Sequence, residues 1–331
     1  MTSTSLHQQV RRTIRKHGLC PPGARVLVGL SGGSDSVALT LLLLDLAEYG
    51  EFSVVALAHL NHRLRESAGR DEAFCRDFAE RHRLRIAVDS VDVHTVARTE
   101  KLSREDAARR VRYTFLERTA AGLDANRIAV GHTEDDQAET FLLKLMRGAG
   151  LTGLAGIYPR RGIVIRPVLE ATRQELREYL RSRDETWVDD ETNEDLGNPR
   201  NRIRHNVLPE LDRAAGAATR PAIARAAGLI REDGQWLDEV AAGRFEALGV
   251  ATADGMELDA PALASEPAAI VRRVLLRAMR QTAGDREIGL DHVDAAMALL
   301  RSGEGGVDVP GTRVELRRGK LVLIQQKATA K

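Results

Sequence analysis

The 331-residue sequence predicts an α/β fold: a doubly wound parallel sheet over residues 1–211, then a second, mainly helical domain over 212–331 that ends in a small β element. Three observations predict it. Short apolar runs alternate with helix-period segments from Arg25 to Val130. Polar clusters follow the first, second and fourth of those runs directly, as at the carboxyl edge of an open sheet. From about Leu211 the composition shifts to Ala and Arg. A chain of this length suits two domains better than one.

Each element has a local reason. Leu6 to His17 reads as a short basic helix, ended by Pro21-Pro22-Gly23. Arg25 to Leu30 is a valine-rich buried strand, and Val37 to Glu48 an apolar helix closed by Gly50. Phe52 to Leu60 is the second strand, Asp71 to His82 a helix, and Arg85 to Val93 the third strand. Ser103 caps a helix with Glu105 and Asp106 in its first turn. Arg127 to Val130 is the fourth strand, and Thr133 caps the helix after it. Ile163 to Ile165 is a short strand beside Arg160, Arg161 and Arg166, and Thr172 caps a helix through Arg181. The second domain reads as helices over 214–231, 235–248, 262–281 and 292–300. Strands follow over 307–310, 313–316 and 320–324, the last two as a hairpin.

Composition narrows the function classes. Net charge is +1, so there is no global basic field, and nucleic-acid binding requires a local patch. Cys20 and Cys75 form no C-x-x-C pair and no zinc pattern, in keeping with a reducing cytoplasm. The polar start, Met1 to Lys16, lacks a signal-peptide core, and no apolar run reaches membrane-spanning length.

The chemistry gathers in the loops after strands. Ser31-Gly32-Gly33-Ser34-Asp35-Ser36 joins a strand to a helix N-terminus, where backbone N–H groups attract phosphate. Its glycines allow close backbone approach to an anion, and its serines add donors. The loop is neither the Walker lysine motif nor the spaced-glycine dinucleotide fingerprint. His59, Asn61 and His62 end the second strand and become ligand neighbours. Arg109 and Arg112, three apart, share one helix face. His132, Asp135, Asp136 and Glu139 crowd the end of the fourth strand. Magnesium takes carboxylate oxygen and water, so the acids are its expected ligands there. The run Asn198 to His205 carries Arg200, Asn201, Arg202 and Arg204 without an acid, and reads as a turn contacting RNA phosphates.

Ser-Gly-Gly-x-Asp-Ser at 31–36 resembles the signature of the PP-loop ATP pyrophosphatases, which implies that this loop holds the pyrophosphate part of ATP. Further stretches sharpen the resemblance. They are His59 to Arg65 (His-x-Asn-His-x-Leu-Arg), Glu105 to Tyr113 (Glu-x-x-Ala-Arg-x-x-Arg-Tyr) and Gly131 to Thr140 (Gly-His-x-x-Asp-Asp-Gln-x-Glu-Thr). Arg166-Pro167-Val168-Leu169, Arg173, Trp187 to Asn193 and Arg200 to Arg204 then follow in order. Together, from Arg25 to Leu211, they resemble the tRNA(Ile)-lysidine synthetases. Thr133 stands where a second histidine is common, and Val168 where leucine is frequent.

That resemblance implies joining of the ε-amine of L-lysine to carbon 2 of the wobble cytidine in a CAU-anticodon tRNA(Ile). ATP and magnesium serve, through an adenylated base, with pyrophosphate and AMP released. It implies roles as well. Ser31 to Ser36, His59, Asn61 and His132 hold ATP, and Asp35, Asp135 and Asp136 place magnesium. Asp136 and Glu139 grip the lysine, and Arg109 and Arg112 neutralise phosphate or orient the base. Arg166, Arg200, Asn201, Arg202 and Arg204 meet the tRNA. It also implies a cytoplasmic protein, admits a homodimer, and suggests that the further C-terminal domain of longer members is absent here. The alternatives on the same fold are a tRNA thiolase and a small-molecule ligase or amidotransferase.

Overall fold

A computed structural model describes residues 3–62, 68–189, 195–216 and 218–326. Arg63, Leu64 and Arg65 of the second-strand motif, and 190–193 of the Trp187–Asn193 stretch, lie outside them. The chain divides into two compact units, Met1–Gly228 and Leu229–Lys331.

The first unit opens with α1 (Ser3–Lys16), which buries Leu6, Val10 and Ile14 along one face. Then come β1 (Ala24–Gly29), α2 (Ser34–Ala47), β2 (Phe52–Asn61), α3 (Ala68–Arg81) and β3 (Ile86–Ser90). The third strand is shorter than expected. Asp92 accepts hydrogen bonds from the backbone N–H groups of His94 and Thr95 and so starts an unforeseen helix, α4 (Val93–Glu100). Next are α5 (Arg104–Gly122), β4 (Arg127–Ala129), α6 (Glu134–Met146), the single turn α7 (Leu151–Leu154), β5 (Arg160–Arg161), β6 (Val164–Ile165) and α8 (Arg173–Arg181).

These strands form a six-stranded sheet in the order β3-β2-β1-β4-β6-β5, parallel except for β5. From β1 the chain crosses to β2 on one side and later returns to β4 on the other. The carboxyl ends of β1 and β4 therefore flank the switch point at which an open α/β sheet binds its ligand. α2 is apolar all round because it is enclosed: Leu39, Leu42 and Leu43 have no exposed surface. Burying each such leucine is worth about 1.5–3 kcal/mol.

The run 198–205 is the largest local departure from expectation. It is helix, not turn. Asn198 accepts from the Arg200 N–H, with Pro199 in the first turn, and starts α9 (Pro199–Arg202). A π-turn over Ile203–Val207 leads into α10 (Leu208–Ala215). In an extended chain Arg200, Arg202 and Arg204 would point one way. With helical winding, Arg200 and Arg204 share a face four residues apart and Arg202 turns out to solvent.

The helix α11 (Thr219–Leu248) crosses the unit boundary, where two helices were expected. Gly234 does not break it, since one interior glycine costs only about 1 kcal/mol relative to alanine. The boundary falls after Gly228, later than the expected 211, because the start of α11 belongs to the first unit. Ile223 packs with Ala138, Ile203 and Leu208. The second unit adds β7 (Gly249–Thr252), β8 (Gly255–Asp259), α12 (Ala260–Ala264), α13 (Ala268–Thr282), α14 (Leu290–Ser302), β9 (Gly305–Val309), β10 (Thr312–Arg317) and β11 (Lys320–Gln325). Its antiparallel sheet, β7-β8-β11-β10-β9, contains the expected hairpin of β10 and β11 plus two strands, β7 and β8, that were not foreseen. α13 buries Ile270, Val271, Val274, Leu275 and Ala278 in the same core as Leu258, Val314, Leu321 and Leu323 of that sheet.

Candidate active site

A cavity of about 950 Å³ opens at the switch point. Its floor is the loop between β1 and α2. The serines fold that loop upon itself: Ser31 N–H donates to Ser36 Oγ (3.1 Å), and Ser36 Oγ donates to the Gly33 carbonyl (2.9 Å). Gly32 has φ +89°, a left-handed conformation that favours glycine. No side chain caps α2, whereas Ser103, Thr133 and Thr172 cap α5, α6 and α8. The first turn of α2 therefore keeps its positive end for a ligand. A Cβ on Gly131 would lie 3.0 Å from the Asp35 carbonyl group, so the loops after β1 and β4 touch, backbone to backbone.

The wall above this loop is ionic. Asp136 and Glu139, one helical step apart on α6, face Asp35 of α2, and three guanidiniums lie among these three carboxylates. Arg173 Nε donates to Asp35 Oδ2 (3.1 Å) and Nη2 to Asp136 Oδ1 (3.3 Å), with Nη1 3.8 Å from Glu139. Arg200 Nε donates to Glu139 Oε2 (2.7 Å), and Arg204 Nε to Glu139 Oε1 (2.6 Å). Glu139 has no exposed surface. Formal charge within this set is balanced, which is what permits its burial.

Ionisation follows from the neighbours. Burial works to raise the Asp136 pKa, but Arg200, Arg173 and His132 outweigh it and bring the carboxyl down to about 2. Asp35 moves the other way: burial, joined by the charge of Asp136, raises it against the pull of Arg173. Desolvation, with Arg166, Arg112 and Arg200 nearby, lowers His132 to about 3 against the opposing charge of Asp136, so the ring is neutral at pH 7. Arg166 Nε donates to His132 Nδ1 (3.0 Å), so the ring proton sits on Nε2 and is available as a donor.

Another side of the cavity is formed by His59, Asn61 and His62 at the end of β2. His59 Nδ1–H donates to the Leu30 carbonyl (2.9 Å), which fixes the tautomer. Burial, Arg112 and His59 lower His62 to about 4. Arg112 and Tyr113 line the same cavity, and the Arg109 and Arg112 guanidiniums both lie over the Tyr113 ring, 5.3 and 5.6 Å from its centre.

Several expectations need correction. Asp135 does not join a metal cluster. One of its oxygens accepts from the Arg173 backbone N–H and the other from Arg220 (both 2.7 Å), and among the described residues no group of three His, Cys, Asp or Glu is arranged to hold a metal. Arg166 is 4% exposed and donates to His132 and the Tyr158 carbonyl, so it braces the wall and does not offer itself to RNA. Asn201 is likewise buried, with its amide donating to the Asp195 carbonyl (2.9 Å). Arg200 and Arg204 turn inward onto Glu139, while Arg202 is exposed. Sequence reasoning missed the role of Arg173. Its signal was its place directly after the Thr172 cap, at the start of a helix whose N-terminus faces the acids.

Comparison with known proteins supplies the family. Residues 2–211 match the PP-loop domain family. Among curated relatives, tRNA(Ile)-lysidine synthase of Geobacter sulfurreducens is 39% identical over 301 residues, 89% of this chain and 63% of its own length. That of Symbiobacterium thermophilum is 39% identical over 330 residues, covering 95% of this chain and 68% of the relative. That of Thermus thermophilus is 43% identical over 224 residues, covering 68% and 43%. The chain thus spans about two thirds or less of the length of these relatives. Among solved structures, the U34-tRNA thiolase NcsA from Methanococcus maripaludis superposes with a TM-score of 0.56 at 15% identity over 69% of this chain and 80% of that one, a likeness of fold. On the match over 2–211 and the similarity to the Symbiobacterium enzyme over 95% of this chain and 68% of that one, the chain belongs to the PP-loop family and, within it, to the tRNA(Ile)-lysidine synthases.

Proposed function

We propose that this protein joins L-lysine to carbon 2 of the wobble cytidine of the CAU-anticodon tRNA(Ile), using ATP and releasing pyrophosphate and AMP. The observation that carries the proposal is a cavity in which an uncapped helix N-terminus faces a buried acid cluster. The first suits the phosphates of ATP, and the second suits a substrate that brings positive charge.

Adenylation converts the carbonyl oxygen at carbon 2 into a leaving group, and the lysine amine then displaces AMP. Ser31 to Ser36 and the α2 N-terminus bind the pyrophosphate part, and His132 Nε2–H donates to it. His59 and Asn61 take the nucleoside. Arg112, exposed to the cavity beside Tyr113, and Arg109 take the charge of the RNA or orient the base. Asp35 and Asp136 fit magnesium, because their oxygens already flank a cation, the Arg173 guanidinium. Magnesium would supply charge neutralisation at the phosphates. Asp136 and Glu139 bind the lysine ammonium by exchanging it for guanidinium, while Arg173, Arg200 and Arg204 turn to phosphate. Arg202 remains for the tRNA backbone.

Thiolation is disfavoured by the cysteines. Burial pushes both the Cys20 and the Cys75 thiol up to about 12, so neither is a ready nucleophile. Both thiols are free, which also suits a cytoplasmic location.

The test is incorporation of radiolabelled lysine into an unmodified tRNA(Ile) transcript with a CAU anticodon, with the initiator methionine tRNA as control. Labelling of the first and not the second is expected. Labelling of neither, with AMP still formed from other amines or acids, would move the substrate to another branch of the PP-loop enzymes.

A further inference from the structure

Arg220 lies beyond the stretch that matches the PP-loop domain, in the first turn of α11. It nonetheless reaches the back of the catalytic wall. Its Nη1 donates to Asp135 Oδ1 (2.7 Å) and its Nε to Asp212 Oδ2 (3.1 Å). Asp135 is 7% exposed, and its second oxygen accepts from the backbone N–H of Arg173 (2.7 Å). That N–H is among the first of α8. The neighbouring Thr172 side chain is occupied with Glu175 in a capping box, so Asp135 supplies the acceptor that the cap does not. Arg173 in turn is the side chain that spans Asp35, Asp136 and Glu139.

Charge explains why the chain of contacts holds together. Asp135 sits at the N-termini of both α6 and α8, where partial positive charge favours it. Those partial charges are a weaker counterweight than a full guanidinium, and a buried carboxylate without its partner is costly. Without Arg220, Asp135 turns toward water and releases the Arg173 N–H. The first turn of α8 then loosens, and the Arg173 guanidinium moves away from the acids. Ile223, one turn beyond Arg220, packs with Ala138, Ile203 and Leu208, so α11 itself holds Arg220 in place.

We propose that Arg220 and Asp135 form a positioning pair which sets Arg173 in the acid cluster, so that a residue outside the PP-loop domain governs the adenylation step. The consequence for rate rests on the proposed ATP chemistry. The mechanical link does not.

The experiment uses the full chain with Arg220→Ala, Arg220→Lys, Asp135→Asn and the double variant Arg220→Ala/Asp135→Asn. Hydrogen exchange over the segment 172–176 reads the link directly, and tRNA-dependent ATP–pyrophosphate exchange reads the chemistry. In Arg220→Ala, exchange at the Arg173 amide rises about tenfold while β1 is unchanged, as for a local opening. The adenylation kcat falls about tenfold, the scale of a small displacement in a positioned site, while KM for tRNA stays within twofold. Arg220→Lys recovers most of both, and the double variant is no worse than Arg220→Ala alone, since the two residues act as one unit. Unchanged exchange at 172–176 in a folded Arg220→Ala overturns the proposal. So does a rise in KM for tRNA with kcat intact, which would make Arg220 an RNA contact. If Arg220→Ala does not fold, Arg220→Gln, which removes the charge but keeps a long side chain, decides the matter: unchanged exchange at 172–176 in it overturns the proposal. If the wild-type protein shows no ligation, the functional reading fails, while hydrogen exchange still tests the pair.

Discussion

An ionic cluster in the first unit has a counterpart of similar residue types in the second. In the first, Asp35, Asp136 and Glu139 meet Arg173, Arg200 and Arg204 beneath the cavity. In the second, Asp308 and Glu315 meet Arg313 and Arg317 on the terminal sheet. Pairing geometry alone does not distinguish them, since both contain contacts of hydrogen-bond length. Solvation does. Glu139 is wholly buried, whereas the Asp308 side chain is 60% exposed. Water and salt weaken the second cluster and do little to the first. A buried, charge-balanced set beside a cavity can respond to an incoming ion only by exchanging partners. Such exchange is what a site for a triphosphate and an ammonium group requires. A solvated ladder can exchange with water at no consequence.

The largest effect expected from this comparison is that of Glu139→Gln. Glutamine keeps the volume, removes the charge and turns one oxygen into an N–H donor, so Arg200 and Arg204, which hold one oxygen each at 2.7 Å or less, are left with a single neutral acceptor between them. Breaking one side of a buried ion pair costs about 3–5 kcal/mol, and the proposed lysine site loses its charge at the same time. Urea denaturation should show the loss of stability, and lysine incorporation should fall below detection. An unchanged unfolding midpoint would mean that the two arginines reach water easily, and the contrast between the clusters would fail.

How much of this was legible beforehand follows from the same physics. The alternation of strand and helix, the loop at 31–36 and the acids after β4 could be read directly, because local pattern and local chemistry agree there. Thr133 and Thr172 announced their helices by side chains that cap in the structure as expected. The run 198–205 was misread because alternate arginines resemble a strand or turn, while the Asn198-Pro199 start of a helix was the stronger signal. The bond from Arg220 to Asp135 joins positions 85 apart in sequence, and no local pattern predicts such a contact. The strands β7 and β8 were missed for a related reason: Gly249–Thr252 is short and mostly exposed, and it is defined by pairing with β8 more than by its own residues.

An intermediate effect sharpens the comparison through pH. Glu134, next to the buried cluster, has an oxygen without a hydrogen-bond partner. Burial, then the charges of Asp135, Glu175 and Glu170, raise its pKa from 4.5 to about 7 against the pull of Arg225. Between those values the native state holds a proton that the unfolded chain has released. Its contribution to stability is therefore full below pH 4.5 and is lost as pH rises through 7. His132 and His62 act in the opposite sense, because both are lowered in the fold and disfavour it progressively below pH 6.5. Glu134→Gln should thus raise the melting temperature at about pH 8, with the gain shrinking as pH falls and gone by about pH 4.5, as linkage requires. Melting curves at several pH values check this. A gain independent of pH would assign the effect to helix propensity, not to the proton.

The smallest effect belongs to the second cluster. Arg313 donates to Asp308 (2.8 Å) and Glu315 (2.5 Å), and its pKa is raised by those bonds. In contacts alone it resembles Arg200. Its side chain is 41% exposed, however. Asp308, 60% exposed, regains water when the arginine is removed, and Glu315, although only 13% exposed, keeps Arg317 as its partner. Around it the sheet is held by other means: β10 pairs with β9 and β11 along its length, and Val314, Leu321 and Leu323 are wholly buried. Arg313→Ala should therefore leave both the melting temperature and lysine incorporation within experimental error at physiological salt. A substantial loss of stability would show that the ladder is coupled more tightly than its exposure allows. Burial would then no longer separate the two clusters, and the catalytic reading of the first would have to stand on its cavity alone.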